Sequence, residues 1–203
     1  YAKINKNSEK ISGDNYSILE SEKGKLTLLM SDGTGSGERA SLDSEKVLDL
    51  MEKLLEVGYD LSTAVKMLNA TIFSKGEDSN HPTLDVCSID LYRGICEWIK
   101  VGGTLSLIRG EEEVEEIPSG GLPLGIFPGI DVQSNSRKLK NGDYLILMSD
   151  GVRDAFEEQP PEQSLSREVE RITEQNPGEI AERILQRAIC NREGHIADDM
   201  TVI

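Results

Sequence analysis

Leu26, Leu28, Leu29 and Met30 crowd residues 25–30 and stop at Ser31-Asp32-Gly33, an apolar run too short for a buried helix and of a length that suits a buried strand. The predicted strand therefore delivers an acid to its own tip. Past the glycines the period changes. Leu42, Val47, Leu50, Met51, Leu54 and Leu55 recur at helical spacing over residues 41–57, and Gly58 supplies a stop. Asp60 is placed to cap a second helix with Leu61, Ala64, Val65, Leu68 and Ile72 inside, which makes an αα-hairpin. Over residues 83–139 β-like runs at 84–91, 95–101, 104–108 and 114–117 alternate with Arg93-Gly94, Gly102-Gly103 and Arg109-Gly110, the signature of an antiparallel meander. A further strand at 144–148 follows Asn141-Gly142-Asp143 and again ends in Ser149-Asp150-Gly151. Helical patterns at 167–173 and 179–188 and a strand at 200–203 complete the order, and Pro118, Pro123, Pro128 and Pro160-Pro161 fall in the predicted loops. Helices grouped on sheets in this way predict an α+β fold.

Charge narrows the function classes. Lys plus Arg total 22 against 37 for Asp plus Glu, a net charge of 22 − 37 = −15, which opposes sequence-blind binding of nucleic acid or of anionic lipid. With 37% hydrophobic and 29% charged residues over 203 positions, the chain has the make-up of one globular domain, residues 1–203. No apolar run approaches the length of a membrane span, and three cysteines without a C-x-x-C pair suggest a reducing, cytoplasmic setting rather than a disulfide framework. A start at Tyr1 without Met and a stop at Ile203 in an apolar run suggest the catalytic piece of a longer protein, in which a membrane anchor or a regulatory domain has room elsewhere.

The candidate chemistry lies in an internal echo: Leu29-Met30-Ser31-Asp32-Gly33 recurs letter for letter as Leu147-Met148-Ser149-Asp150-Gly151. Asp-Gly alone is a favoured turn pair, but two buried strands ending in the same acid offer hard oxygen ligands on rigid supports. Asp14, in Ser12-Gly13-Asp14-Asn15-Tyr16, and the pair Asp198-Asp199 also border predicted strands. Carboxylates gathered from strand ends repel one another unless a cation lies between them. Oxygen donors without interleaved His or Cys favour Mg²⁺ or Mn²⁺ over zinc. The loop Gly33-Thr34-Gly35-Ser36-Gly37 lacks the spacing of a P-loop or a dinucleotide fingerprint and reads equally as a phosphate approach or as a turn into the helix.

The segments Ser12-Gly13-Asp14-Asn15-Tyr16, Ser31-Asp32-Gly33-Thr34-Gly35-Ser36-Gly37-Glu38-Arg39-Ala40, Ser149-Asp150-Gly151-Val152-Arg153-Asp154 and Asp198-Asp199-Met200-Thr201 stand in the order seen in metal-dependent PPM-type protein phosphatases. Nearly the whole chain resembles that family, and within it the bacterial SpoIIE-type branch. The resemblance implies two packed antiparallel sheets flanked by helices, with two Mn²⁺ or Mg²⁺ ions at one edge. It implies that Asp32 bridges both ions, that Asp14 and the Gly33 carbonyl serve one, and that Asp150 with an acid of the Asp198-Asp199 pair serves the other. Asp198 is the first choice, as the start of an Asp-Asp/Asn-x-Thr pattern, and Asp199 the second. The catalytic residues implied are Asp32 and Asp150. Two departures stand out: many members carry His after Asp-Gly as a proposed acid where this chain has Thr34, and many carry a phosphate-holding arginine near the first motif where this chain has Lys3, Lys6 and Lys10.

The function so implied is hydrolysis of phosphoserine or phosphothreonine by a metal-bridged hydroxide, two cations lowering the pKa of bound water so that no protein nucleophile is needed. The SpoIIE branch implies a small phosphorylated anti-anti-sigma factor as substrate and activation of a sigma factor in sporulation. A regulatory phosphatase-like binding module is the competing class, and the retained acids speak for the enzyme. A calcium-binding structural domain would need a D-x-D-x-D-G loop that the chain lacks. His81 and His195 have no fixed spacing and read as surface residues, Trp98 as sheet packing, and the acids of residues 111–116 as a solvated edge.

Overall fold

The computed structural model describes residues 1–7, 9–21, 24–76 and 80–203. Among these, helices and antiparallel strands form two compact units, neither of them a continuous segment: Gly13–Gly103 with Gly120–Leu139, and Tyr1–Ser12 with Thr104–Ser119 and Lys140–Ile203. Each has its own apolar core. The predicted α+β class therefore holds. Among the described residues no helix is long and apolar enough to cross a membrane.

In the unit built around residues 13–103, β2 (Asp14–Ser21), β3 (Lys25–Asp32), β4 (Leu84–Asp90), β5 (Ile95–Val101) and β8 (Asn135–Lys138) form one sheet in the order β2-β3-β4-β5-β8. Leu29, Val86 and Ile99 are register partners on one face. They share a core with α1 (Gly37–Val57) and α2 (Leu61–Phe73). Ala40, Ser44, Val47, Leu48, Met51 and Leu54 make the buried stripe of α1 at three- and four-residue steps. Full burial of each larger aliphatic is worth roughly 1.5–3 kcal/mol over exposure. Gly58, at φ 101°, ends α1, and the Asp60 carboxylate accepts the Thr63 N–H at 3.0 Å to cap α2, as the sequence predicts. Two expectations are corrected: α1 starts at Gly37 rather than residue 41, and Leu42, placed inside, is 45% exposed.

In the other unit β7 (Val114–Ile117), β6 (Ser106–Arg109) and β9 (Tyr144–Leu147) form a three-stranded sheet, and β1 (Ala2–Ile4) pairs with β10 (Met200–Val202). Met148 bridges Val202. Their apolar sides share a core with α3 (Asp150–Glu157), α4 (Leu165–Glu170) and α5 (Pro177–Asn191), Pro177 occupying the first turn of α5 where its missing N–H costs nothing. The single meander expected over residues 83–139 is two pieces: β4 and β5 pair in the five-stranded sheet, β6 and β7 in the three-stranded one. The break falls at Gly102-Gly103. Gly102 takes φ 69°, and a Cβ on Gly103 would overlap the Asp85 carboxylate, so the chain leaves the ladder where only glycine fits. The exposed acids of residues 111–116 border the edge strand β7, as expected.

Candidate active site

Asp32 is the last residue of β3, and its register partner is Asp14, the first residue of β2. Directly opposed residues of an antiparallel pair point to the same face. Asp14 is 1% exposed and Asp32 half-buried. The tip is held by the backbone around it: Asp32 N–H donates to Thr83 Oγ1 at 3.0 Å, Thr83 N–H donates to the Asp32 carbonyl at 2.9 Å, and Ser31 Oγ donates to the Thr83 carbonyl at 2.7 Å. Gly33 N–H reaches the Gly13 carbonyl at 3.3 Å, and a Cβ on Gly33 would overlap the Ala40 carbonyl oxygen. The loop therefore closes on the first turn of α1 only because residue 33 is glycine. Asn15 Nδ2 donates to Ser44 Oγ at 2.9 Å and to the Ser41 carbonyl at 3.0 Å, tying the start of β2 to α1.

In the second unit the echoed segment meets a different fate. Ser149 is the N-cap of α3 and Asp150 its first residue. Ser149 N–H donates to the Thr201 carbonyl at 3.0 Å, Thr201 N–H donates to Ser149 Oγ at 2.9 Å, and Ser149 Oγ donates to the Asp199 carbonyl at 3.2 Å. A Cβ on Gly151 would overlap that Asp199 carbonyl. Burial holds the Asp150 carboxyl above its ordinary pKa, and the negative charges of Asp198 and Asp154 push the same way, against the Gly151 N–H and Arg153. Asp199 is buried and its carboxylate accepts the Lys6 N–H at 2.7 Å, whereas Asp198 is exposed and its carboxylate accepts the Asp199 N–H at 2.9 Å. Asp198 is thus the acid whose charge reaches Asp150.

The six candidates accordingly fall into Asp14, Asp32 and Gly33 in one unit and Asp150, Asp198 and Asp199 in the other. Among the described residues no group of three or more His, Cys, Asp or Glu side chains is gathered where it could hold a metal ion. The donors fit a hard divalent cation in kind: carboxylates opposed or electrostatically opposed in pairs, beside a glycine whose position admits no side chain. Residues the sequence reading passed over are Thr83, Ser44 and Asn15, which clamp the first tip, and the serines of the echo, which anchor both. Ser31 and Ser149 recur in the repeated pentapeptide, so the signal for them was present. Thr34, at the position where many PPM phosphatases have His, accepts the His81 N–H at 3.1 Å and so ties the Gly-rich loop to residues 80–83.

A sequence model described as Stage II sporulation protein E (SpoIIE) matches residues 22–203. The chain is 37% identical over 194 residues to Stage II sporulation protein E of Bacillus subtilis (strain 168), covering 95% of this chain and 24% of that protein. It is 35% identical to the protein of the same name from Priestia megaterium, covering 95% of this chain and 33% of that one. The chain thus spans a quarter to a third of the length of these relatives. The solved structure of the PP2C phosphatase domain and a fragment of the regulatory domain of SpoIIE from Bacillus subtilis superimposes with a TM-score of 0.91 at 36% identity, over 99% of this chain and 60% of that one. With a family match over residues 22–203 and the fold of that PP2C phosphatase domain, the chain belongs to the SpoIIE family.

Proposed function

We propose that residues 1–203 are one phosphatase domain of a longer protein, working in the cytoplasm. It hydrolyses phosphoserine or phosphothreonine on a small phosphorylated anti-anti-sigma factor, and the dephosphorylated product leads to sigma factor activation in sporulation. The observation that carries the chemistry is the Asp150 carboxyl, held in its less acidic state by burial and by Asp198. An anion kept beside another anion at the start of α3 gains from a cation and costs stability without one. Asp14, Asp32 and the Gly33 carbonyl on one unit, and Asp150 with Asp198 on the other, are the groups that would hold two Mn²⁺ or Mg²⁺ ions. When bound, such ions lower the pKa of water and offset the charge of phosphoryl oxygens.

The chain's own residues do the rest. Thr83 and Ser31 fix the backbone at Asp32, Ser149 fixes the approach to Asp150, and the Lys6 N–H engages the buried Asp199, which leaves the exposed Asp198 as the ligand of the pair. Thr34 does not ionise near neutral pH, so the proton for the departing serine oxygen comes from solvent rather than from residue 34. The test is phosphate release from a purified phosphoserine protein, with and without chelator. Release that needs added Mn²⁺ or Mg²⁺ supports the reading. Phosphate release that persists after exhaustive chelation rejects the metal assignment, and phosphoprotein binding without release returns the domain to a regulatory module.

A further inference from the structure

Beside α1 and α2, wholly within the first unit, lies an open cavity of about 450 Å³. Arg39, Lys46 and Lys75 stand around it, over a floor that includes Val47, Leu68 and Ile72. Among the described lining residues Asp43 is the one acid, and it is engaged twice: Lys46 Nζ lies 3.5 Å from its carboxylate, and Asn80 Nδ2 donates to it. Among the described residues three cations and one acid line the cavity, a locally positive basin on a chain whose net charge is −15.

The basin is connected to the candidate site by backbone. Asn80 lines it, His81 N–H binds Thr34 of the Gly-rich loop, and Thr83 exchanges hydrogen bonds with Asp32. Three residues of extended chain cover at most about 10 Å. An extended peptide with its phosphoserine at Asp32 would therefore bring residues about two to four positions away over the basin. The overall charge of the protein repels an acidic phosphopeptide, and a basin at this distance reverses the sign of the field where the peptide must lie.

We propose that Arg39, Lys46 and Lys75 form a docking basin for acidic residues that flank the phosphorylated residue of a protein substrate, and that the basin sets sequence preference. The proposal rests on the phosphatase reading above. Its test compares two synthetic phosphoserine peptides that differ only in flanking Asp/Glu or Asn/Gln, with p-nitrophenyl phosphate as a substrate too small to reach the basin. The wild-type chain with Mn²⁺ is expected to favour the acidic peptide about tenfold in kcat/KM, through KM, with a preference that shrinks as salt rises. The double variant Lys46→Glu/Lys75→Glu is expected to lose that preference while keeping wild-type rates on the neutral peptide and on p-nitrophenyl phosphate. Equal wild-type rates on the two peptides, or a preference that survives the double variant, overturn the basin. Fluorescence anisotropy of an unphosphorylated acidic peptide at low salt separates this outcome from failure of the phosphatase reading. If no substrate is turned over but the acidic peptide binds wild type and not the double variant, the basin stands as an acid-binding surface and the enzymatic reading falls. Absent binding and absent turnover remove both.

Discussion

Leu-Met-Ser-Asp-Gly closes a strand in each unit, and the two copies are built differently. In the first, β3 runs through Asp32, the ladder continues to the acid itself, and Asp14 stands opposite it. In the second, β9 ends at Leu147 and Asp150 opens α3, so its charged neighbour is Asp198, from the segment leading into β10. What the copies share is their fixing: a buried serine bonded to backbone carbonyl before the acid, and after it a glycine against a carbonyl oxygen that leaves no room for Cβ. The repeated letters therefore specify how an acid is held, while the partner segment specifies what faces it. A second contrast sharpens this. Asp85, 2% exposed, has Lys100 Nζ at 2.8 Å, a charge of opposite sign from its register partner, whereas Asp150 faces charge of its own sign. One carboxylate has its counter-charge within the protein at one oxygen, its Oδ1 being buried without a hydrogen-bond partner, and the other is pushed above its ordinary pKa by charge of its own sign as well as by burial.

The largest expected effect falls on activity. Asp32→Asn and Asp150→Asn should each lower kcat by on the order of 10³-fold, since each removes ligand charge where transition-state charge must be offset. Asp150→Asn should not lower the midpoint of thermal unfolding measured without metal, because it neutralises a carboxyl that burial and the charge of Asp198 hold above its ordinary pKa. A variant that keeps near-wild-type turnover would make its copy of the pentapeptide a turn and nothing more.

Lys100→Met should do the reverse, costing about 3 kcal/mol of stability by urea unfolding, because it strands a buried carboxylate. Any change in metal activation should then follow only from the loss of folded protein. Equal stability of Lys100→Met and wild type would show that the buried pair contributes nothing the apolar variant cannot. Next in size, Gly33→Ala and Gly151→Ala should each cost roughly 1–3 kcal/mol, the ordinary cost of overpacking against a backbone that cannot move aside. If Gly151→Ala is tolerated and Gly33→Ala is not, the two tips differ in rigidity as well as in partner.

The elements that could be read from sequence were those whose pattern is local. The αα-hairpin follows from an apolar stripe with Gly58 and Asp60 as punctuation, and β5 and β7 were bounded residue for residue. β1 has three residues, β8 is Asn-Ser-Arg-Lys on a sheet edge, and α3 offers only Val152, Ala155 and Phe156 as its larger buried residues, too little periodicity for any of them to register. The start of α1 was hidden by glycines, because Gly35 and Gly37 at positive φ read as loop. For the proposed site, the candidate acids were named from motif, and the preference for Asp198 over Asp199 came from resemblance alone. What distinguishes the two acids in the fold, the Lys6 N–H on Asp199, joins residues far apart in the chain and leaves no local trace. Nor could spacing reveal that Asp14 faces Asp32, since register depends on a β2 whose pattern is mostly half-exposed.

The smallest expected effect is a pH dependence, and it probes the pair of Asp85 and Lys100. Burial raises the Asp85 carboxyl above its ordinary value and Lys100 opposes the shift without cancelling it. A folded state that binds a proton more tightly than the unfolded chain is favoured by acid. The contribution of Asp85 is thus fully present below the ordinary carboxyl value of 3.8 and is lost as pH rises through its raised value. Asp85→Leu/Lys100→Met removes both charges and with them this titration. Urea midpoints of the double variant relative to wild type should therefore climb as pH rises above the ordinary carboxyl value of 3.8, as wild type alone bears the cost of ionising a buried acid. A difference that stays flat would mean that Lys100 balances the burial of Asp85 in full. A falling difference would mean that the attraction exceeds the cost of burial, and the pair would then be a net source of stability at neutral pH.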